Sequence, residues 1–185
     1  MNLPAIDLGA PRGYDKALAE RRRAKFITMK HTLKEKMVLY HVSTKGQLDE
    51  LKNLFTKSKE GGAPEGPYGL TEEVSKSGFY WTVLHYASHY GHYEVLAYLI
   101  DLLEDHPNKY DIFNLQTTEG KTPLFCVILS ADIEDEEKKH RIIKLWFDTN
   151  CVDLSLRKKT GEDLLQLAKS NNLYHFVVEY CLRED

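Results

Sequence analysis

An internal repeat limits how this chain can fold more than any other feature of its sequence. Thr82-Val83-Leu84-His85-Tyr86-Ala87 is followed by Gly91-His92, and then by Val95-Leu96 and Leu99-Ile100. A second copy starts at Gly120-Lys121-Thr122-Pro123-Leu124-Phe125-Cys126-Val127. A third, more divergent copy reads Gly161-Glu162-Asp163-Leu164-Leu165-Gln166-Leu167-Ala168 and continues through Asn171-Asn172 to Phe176-Val177. An amino-terminal copy, Leu39-Tyr40-His41-Val42, runs on to Gly46, Leu48, Leu51, Leu54 and Phe55. It lacks the Thr-Pro pair, and terminal repeats are commonly degenerate.

Each copy reads as a helix, a tight turn and a second helix. Leu84 and Ala87 are three residues apart on the first helix, and Val95, Leu96, Leu99 and Ile100 form an apolar stripe on the second. Such a pair cannot bury its apolar face alone. Stacking against neighbours is obligatory, and about three units are the minimum for stability. Thr at the head of the first helix offers an oxygen to an orphan N–H, and Pro in the first turn has no N–H to lose.

These residues resemble the ankyrin repeat, whose pattern is T-P-L-H-x-A, then G-H, then V-V-x-x-L-L. In the best copy Val83 departs from the Pro of that pattern, and in the second Phe125 stands at the His position. Asn172 stands where the family has Gly, and Asn tolerates the left-handed conformation that ends a helix. Thr82 to Thr122 spans 40 residues and Thr122 to Asp163 spans 41, against about 33 in the family. Much of the surplus in the second copy falls between Asp132 and Ile142, because Ile142 to Phe176 is a step of 34. The resemblance implies an all-α ankyrin-repeat solenoid of about four repeats with an extra N-terminal helix. The approximate units are 37–56, 78–101, 119–148 and 160–182, within a repeat domain of 37–185, with an insertion at 57–77.

Charge divides the chain in the same place. Residues 1–36 carry nine Lys/Arg and four Asp/Glu, and the remainder carries 16 and 24. A basic arm on an acidic body implies two jobs. Residues 14–36 contain good helix formers and no internal Pro or Gly, with Tyr14, Leu18, Phe26, Met29 and Leu33 as a docking stripe. Two readings stand. The arm is a helix that caps the open end of the solenoid, or Arg21, Arg22, Arg23 and Lys25 bind nucleic acid, anionic membrane or an acidic partner. The 57–77 insertion contains Gly61-Gly62-Ala63-Pro64-Glu65-Gly66-Pro67 and should project from the hairpin side. It is either a tolerated surface insertion or part of a partner site.

Little in the sequence points to chemistry. His85, His89 and His92 fall within eight residues, and His85 and His89 have i, i+4 spacing. The Glu that metalloproteases place beside the first His is missing, and the repeat accounts for His85 and His92. No Ser has an elbow motif around it, and no phosphate-binding loop is present. The run from Asp132 to Glu137 lacks the alternate spacing of a calcium loop and reads as a helix start. Cys126, Cys151 and Cys181 form no C-x-x-C pair and read as buried, reduced thiols. We therefore expect no cofactor, no metal, no small-molecule substrate and no enzymatic activity. No apolar run approaches the roughly 18 residues of a membrane span, and no secretory signal opens the chain. An intracellular protein, cytoplasmic or nuclear, is the expectation.

The resemblance implies protein–protein recognition through hairpin tips and the concave face of the first helices. Carried over position by position, the partner-binding residues are Phe79, Tyr80, Trp81, His89 and Tyr90, then Thr118, Glu119, Lys121, Leu129 and Ser130. The matching positions of the last unit are Glu162, Ser170 and Asn171. Tyr80 replaces the usual Gly of the hairpin, which predicts an atypical turn. The function implied is that of an adaptor, scaffold or inhibitor. The alternatives are a tether that uses the basic helix, and an enzyme of unrecognised type.

Overall fold

The computed structural model describes residues 13–24, 33–60, 74 and 79–182. Thus Lys25, the start of the arm and most of the 57–77 insertion lie outside the described residues. The first helix, α1 (Lys16–Ala24), belongs to the arm. Four helix pairs follow: α2 (Leu33–Lys45) with α3 (Leu48–Glu60), α4 (Val83–His89) with α5 (Tyr93–Leu102), α7 (Pro123–Leu129) with α8 (Glu136–Phe147), and α9 (Leu164–Ser170) with α10 (Tyr174–Cys181). A short helix, α6 (Lys109–Phe113), lies in the connection between the second and third pairs. No strand forms among the described residues, so the architecture is all-α. The boundary expected at 36/37 falls inside α2, which begins at Leu33.

The first helices stack as a row, with α2 against α4, α4 against α7, and α7 against α9. The second helices pack behind them. Between the two rows runs a continuous apolar core that includes Leu51, Leu84, Leu96, Phe125, Ile142 and Trp146. Phe113 meets Trp146 edge-on at 5.5 Å, which ties α6 into that core. Burying a side chain of this size is worth about 1.5–3 kcal/mol. Each helix pair contributes apolar faces that only its neighbours can cover.

The caps recur with the repeat. Thr122 accepts from the Phe125 N–H at 3.2 Å, and Asp163 accepts from the Gln166 N–H at 2.8 Å. Gln166 Oε1 in turn accepts from the Asp163 N–H at 3.0 Å, which completes a reciprocal cap. Asp135 caps α8, and its acidic neighbours Glu136 and Glu137 occupy the first turn, where the helix dipole favours them. The turn inside the pair also recurs in the first, second and fourth units. Gly46 and Gly91 have φ of 70°, and Asn172 takes φ of 58° at the matching place, as its identity predicts.

Hairpins between units stack on one another. Thr117 N–H donates to the Lys121 carbonyl at 2.9 Å, and Lys158 N–H to the Glu162 carbonyl at 2.9 Å. The first hairpin closes between Val74 and Trp81 at 3.0 Å, and so encloses six residues against three in each later one. Thr118 N–H donates to the Phe79 carbonyl at 3.0 Å and Lys159 N–H to the Glu119 carbonyl at 2.9 Å, which joins the three hairpins. Tyr80 takes φ of 58° at the place where Gly120 and Gly161 take 79° and 100°. The turn expected to be atypical therefore keeps the left-handed backbone of its neighbours, at a cost of roughly 1–2 kcal/mol for a residue with a Cβ.

His85 joins the second unit to the third. Its Nδ1 accepts from the Thr82 backbone N–H at 3.2 Å and from the Thr82 hydroxyl at 2.8 Å. A backbone N–H only donates, so Nε2 carries the proton and donates to the Lys121 carbonyl at 3.1 Å. The imidazole is fully buried, and burial pushes its pKa down from 6.5 to about 4, against the raising effect of the carbonyl.

Two predictions follow from these contacts. The folded pKa of His85 lies below the unfolded value, so protonation favours the unfolded chain. The stability that the neutral ring supports is complete above pH 6.5 and erodes as pH falls towards 4. The loss is on the order of 3 kcal/mol. Because Gln166 fills the same cap position in α9, His85→Gln should give a shallower fall in urea-unfolding free energy between pH 6.5 and 4 than the unaltered chain. An equal slope would assign the acid sensitivity elsewhere.

The second concerns the hairpin stack. A Cβ on Gly120 would sit 2.8 Å from the Lys159 backbone nitrogen, whereas a Cβ on Gly161 would meet nothing within 4 Å. Both positions share a positive φ, so Gly120→Ala should destabilise by at least about 1 kcal/mol more than Gly161→Ala. Chemical denaturation of the two variants measures the difference.

Candidate functional site

Side chains from three units converge on the open face of the first-helix row. Trp81, just before α4, lies 5.0 Å from the Tyr86 ring and meets His89 edge-on at 5.4 Å. Tyr40 of α2 meets Tyr86 edge-on at 5.0 Å, and His89 lies 5.0 Å from Tyr90. The helical repeat sets this arrangement. Val83, Leu84 and Ala87 face the core, which turns Tyr86 and His89 to the other side of α4. The rings pack on each other, which leaves Trp81, Tyr86, His89 and Tyr90 half-buried, and more exposed groups flank them. Phe79 is 49% exposed, Tyr40 40% and Met37 of α2 63%.

Polar groups frame these rings. His89 Nε2 pairs with Asp132 Oδ2 at 2.9 Å, across the boundary to the third unit. Burial lowers the His89 pKa and outweighs the opposing pull of Asp132. The ring is then neutral near pH 7 and donates through Nε2–H. Burial also lowers His92, whose Nε2 is 2.9 Å from the Thr44 carbonyl in the first unit. The Tyr90 hydroxyl is held above its usual range by burial and then by its neighbours Tyr40 and Asp132.

The residues carried over from the repeat pattern separate into groups. Trp81, His89 and Tyr90 come together on the open face. Tyr80 instead points to the arm, with the Arg23 guanidinium over its ring at 5.2 Å. Thr118, Glu119 and Lys121 form the next hairpin, where Glu119 and Lys121 pair at 2.7 Å. Ser130 is buried, and its hydroxyl donates to the His89 carbonyl at 2.5 Å. Leu129 packs against the core. Both therefore serve the joint between units, because α7 ends beside α4. In the last unit Ser170 is exposed and donates back to the Gln166 carbonyl, and Asn171 donates to Leu167. Glu162 pairs with Lys158 at 3.4 Å.

Three residues outside that set belong to the surface: Tyr40, Tyr86 and Asp132. Tyr86 fills the variable position of the T-P-L-H-x-A block, so the pattern was silent about it. Tyr40 sits in the degenerate first copy. Asp132 was read with the acidic run, but it precedes the cap Asp135 and turns towards His89.

The arm residues also divide. Arg21 is exposed, Arg23 half-buried and Arg22 buried. Arg22 Nε lies 3.2 Å from Asp111 and Nη2 3.1 Å from Asp153. Grouped by sequence with polyanion binders, Arg22 is instead committed to two carboxylates of the body. Those contacts place α1 along the connections that follow the second and third units.

Elsewhere, burial pushes the Cys126 thiol up to about 12 and the Cys181 thiol up to about 11, so neither supplies a thiolate near neutral pH. A cleft of about 290 Å³ opens between the second helices, lined by Ala97, Ile100, Lys109, Phe113 and Leu145. It contains none of the candidate partner-binding residues. No described helix is long and apolar enough to cross a membrane.

The ankyrin repeat family model matches residues 79–110, which cover the first hairpin, α4 and α5. No curated protein matches the chain. Among solved structures, the chain is similar to one in the crystal structure of yeast ribosomal protein Rps3 in complex with its chaperone Yar1. The identity is 20% and the TM-score 0.62, over 84% of this chain and 99% of that one. The stacked helix pairs, the stacked hairpins and the matched repeat lead to one conclusion: the described residues have the fold of an all-α ankyrin-repeat solenoid.

Proposed function

We propose that the chain is a protein-recognition module, an adaptor, scaffold or inhibitor, that holds a segment of another protein against its open face. One observation carries this reading: the row of Tyr40, Tyr86, Trp81, His89 and Tyr90 crosses from the first unit to the second, with Tyr40 exposed and the other four rings half-buried. Large aromatics dominate the energetics of interfaces, and soluble monomers seldom keep such rings together in water without use. Phe79 at the hairpin extends the row towards the hairpin tips, where the second group of candidates, Thr118, Glu119 and Lys121, stands. The similar yeast structure holds a chaperone bound to a ribosomal protein. It is an arrangement of the kind proposed here, in which a repeat protein acts by binding another protein.

Tyr40→Ala with Phe79→Ala removes two exposed aromatics of this surface while sparing the core. The double variant should unfold within about 1 kcal/mol of the unaltered chain. Its capture of partner proteins from the native cell type, measured by quantitative mass spectrometry, should fall at least thirtyfold, or about 2 kcal/mol. Leu84→Ala should behave oppositely and cost about 2–5 kcal/mol of stability, because it empties a fully buried core site. Unchanged capture by the double variant would move the binding surface elsewhere.

A further inference from the structure

The contact between α1 and the body has the composition of a binding pocket. Arg22 is 7% exposed, with its guanidinium between Asp111 of α6 and Asp153 of the connection before α9. The Tyr110 ring lies 5.6 Å from the guanidinium carbon. Two carboxylates on a guanidinium fork, with an aromatic ring beside them, make an arginine-selective set, because a lysine ammonium can match neither the fork nor the planar stack.

The pocket is built from the body. Asn114 is buried and donates to the Tyr110 carbonyl at 2.8 Å and to the Cys151 carbonyl at 2.6 Å. Its Oδ1 accepts from the Asp153 N–H at 3.0 Å. Ser155 holds the other oxygen of Asp153 through its N–H at 3.1 Å and its hydroxyl at 2.6 Å. All these bonds lie within the body, so Asp153 and the Tyr110 backbone keep their places without α1.

The arm, by contrast, is lightly held. Of the nine residues of α1, only Ala19 and Arg22 are buried. Arg22 Nη1 is buried without a hydrogen-bond partner. An incompletely satisfied buried charge pair contributes little net stability, because desolvation offsets the attraction. A short helix with two buried residues and such a pair undocks at small cost.

We propose that Tyr110, Asp111 and Asp153 form an arginine-binding pocket that α1 fills in cis, and that an arginine of a basic segment in another protein takes the same place when α1 leaves. The arm is thus an internal competitor. Its departure also lifts Arg23 from Tyr80, so docking of a basic segment and exposure of the first hairpin are coupled. The acidic repeat body, with 24 Asp/Glu against 16 Lys/Arg beyond residue 36, favours the approach of such a segment.

Hydrogen exchange of the α1 amides in the full chain tests this directly. Excess hexa-arginine peptide should speed exchange in residues 16–24 at least tenfold, and hexa-lysine at the same concentration should do much less. Equal effects of the two peptides would reduce the pocket to general charge attraction and overturn the proposal. No effect of either would make α1 a fixed part of the fold and overturn it too. A second measurement uses a labelled peptide of residues 13–24 and the full chain carrying Ala19→Glu with Arg22→Gln, which evicts the arm. The peptide should bind that chain at least tenfold more tightly than the unaltered chain, and the same peptide with Arg22→Gln should not bind. Size measurement of the unaltered chain separates capture of a second copy's arm, seen as a dimer, from capture of the peptide. Tight binding by the substituted peptide would overturn the assignment to Arg22.

Discussion

A single neutral imidazole spans the joint on which the rest of the solenoid depends. His85 closes the start of α4 through Thr82 and reaches across to the carbonyl of Lys121 in the next hairpin. Local folding and stacking are therefore one event. The hairpin that carries Lys121 is in place only when the third unit has formed, and the cap of the second unit is complete only then. A buried polar ring is expensive unless both nitrogens are used, and here they are. The cost of leaving either unpaired fixes the spacing between units more tightly than apolar contact alone.

That spacing positions the open face. Successive first helices pack through fully buried residues at matching places, Val42, Ala87, Val127 and Ala168. The rings at the edge of the core, Tyr86 and His89, are then brought within reach of Tyr40 on one side and Asp132 on the other. The same joint carries Ser130 to the end of α4, where its hydroxyl meets the His89 carbonyl. Energetic support for the core and presentation of the surface are two sides of the same helices.

The hairpin side follows different rules. Its joints are backbone hydrogen bonds from the Thr118 N–H to the Phe79 carbonyl and from the Lys159 N–H to the Glu119 carbonyl. They leave side chains free to vary, and that freedom admits a tyrosine at a glycine position. Tyr80 pays the left-handed strain and gains the Arg23 contact. The acid pair Asp111 and Asp153 arises from connections of two successive units, so the stack itself creates a double-carboxylate site that no one unit contains.

The repeat, the all-α class and the register of the caps were legible in the sequence, because each follows from local rules. A Thr or Asp before an apolar helix start, and a Gly or Asn at a helix end, state their geometry through bonds a few residues away. Asn172 shows this well, since an Asn at the place where the repeat has Gly takes the left-handed backbone. Trp81, His89 and Tyr90 were placed through the resemblance to the repeat family, and the structure brings them together as half-buried rings. The tertiary structure decided which distant groups meet. Tyr40 joins Tyr86 only because α2 stacks on α4. Arg22 reads as one of three equivalent arginines in the sequence, yet it is buried on Asp111 and Asp153, 89 and 131 residues away. Nothing local distinguishes it from Arg21 or Arg23. The choice rests on desolvation and charge between parts of the chain that only the finished stack brings together.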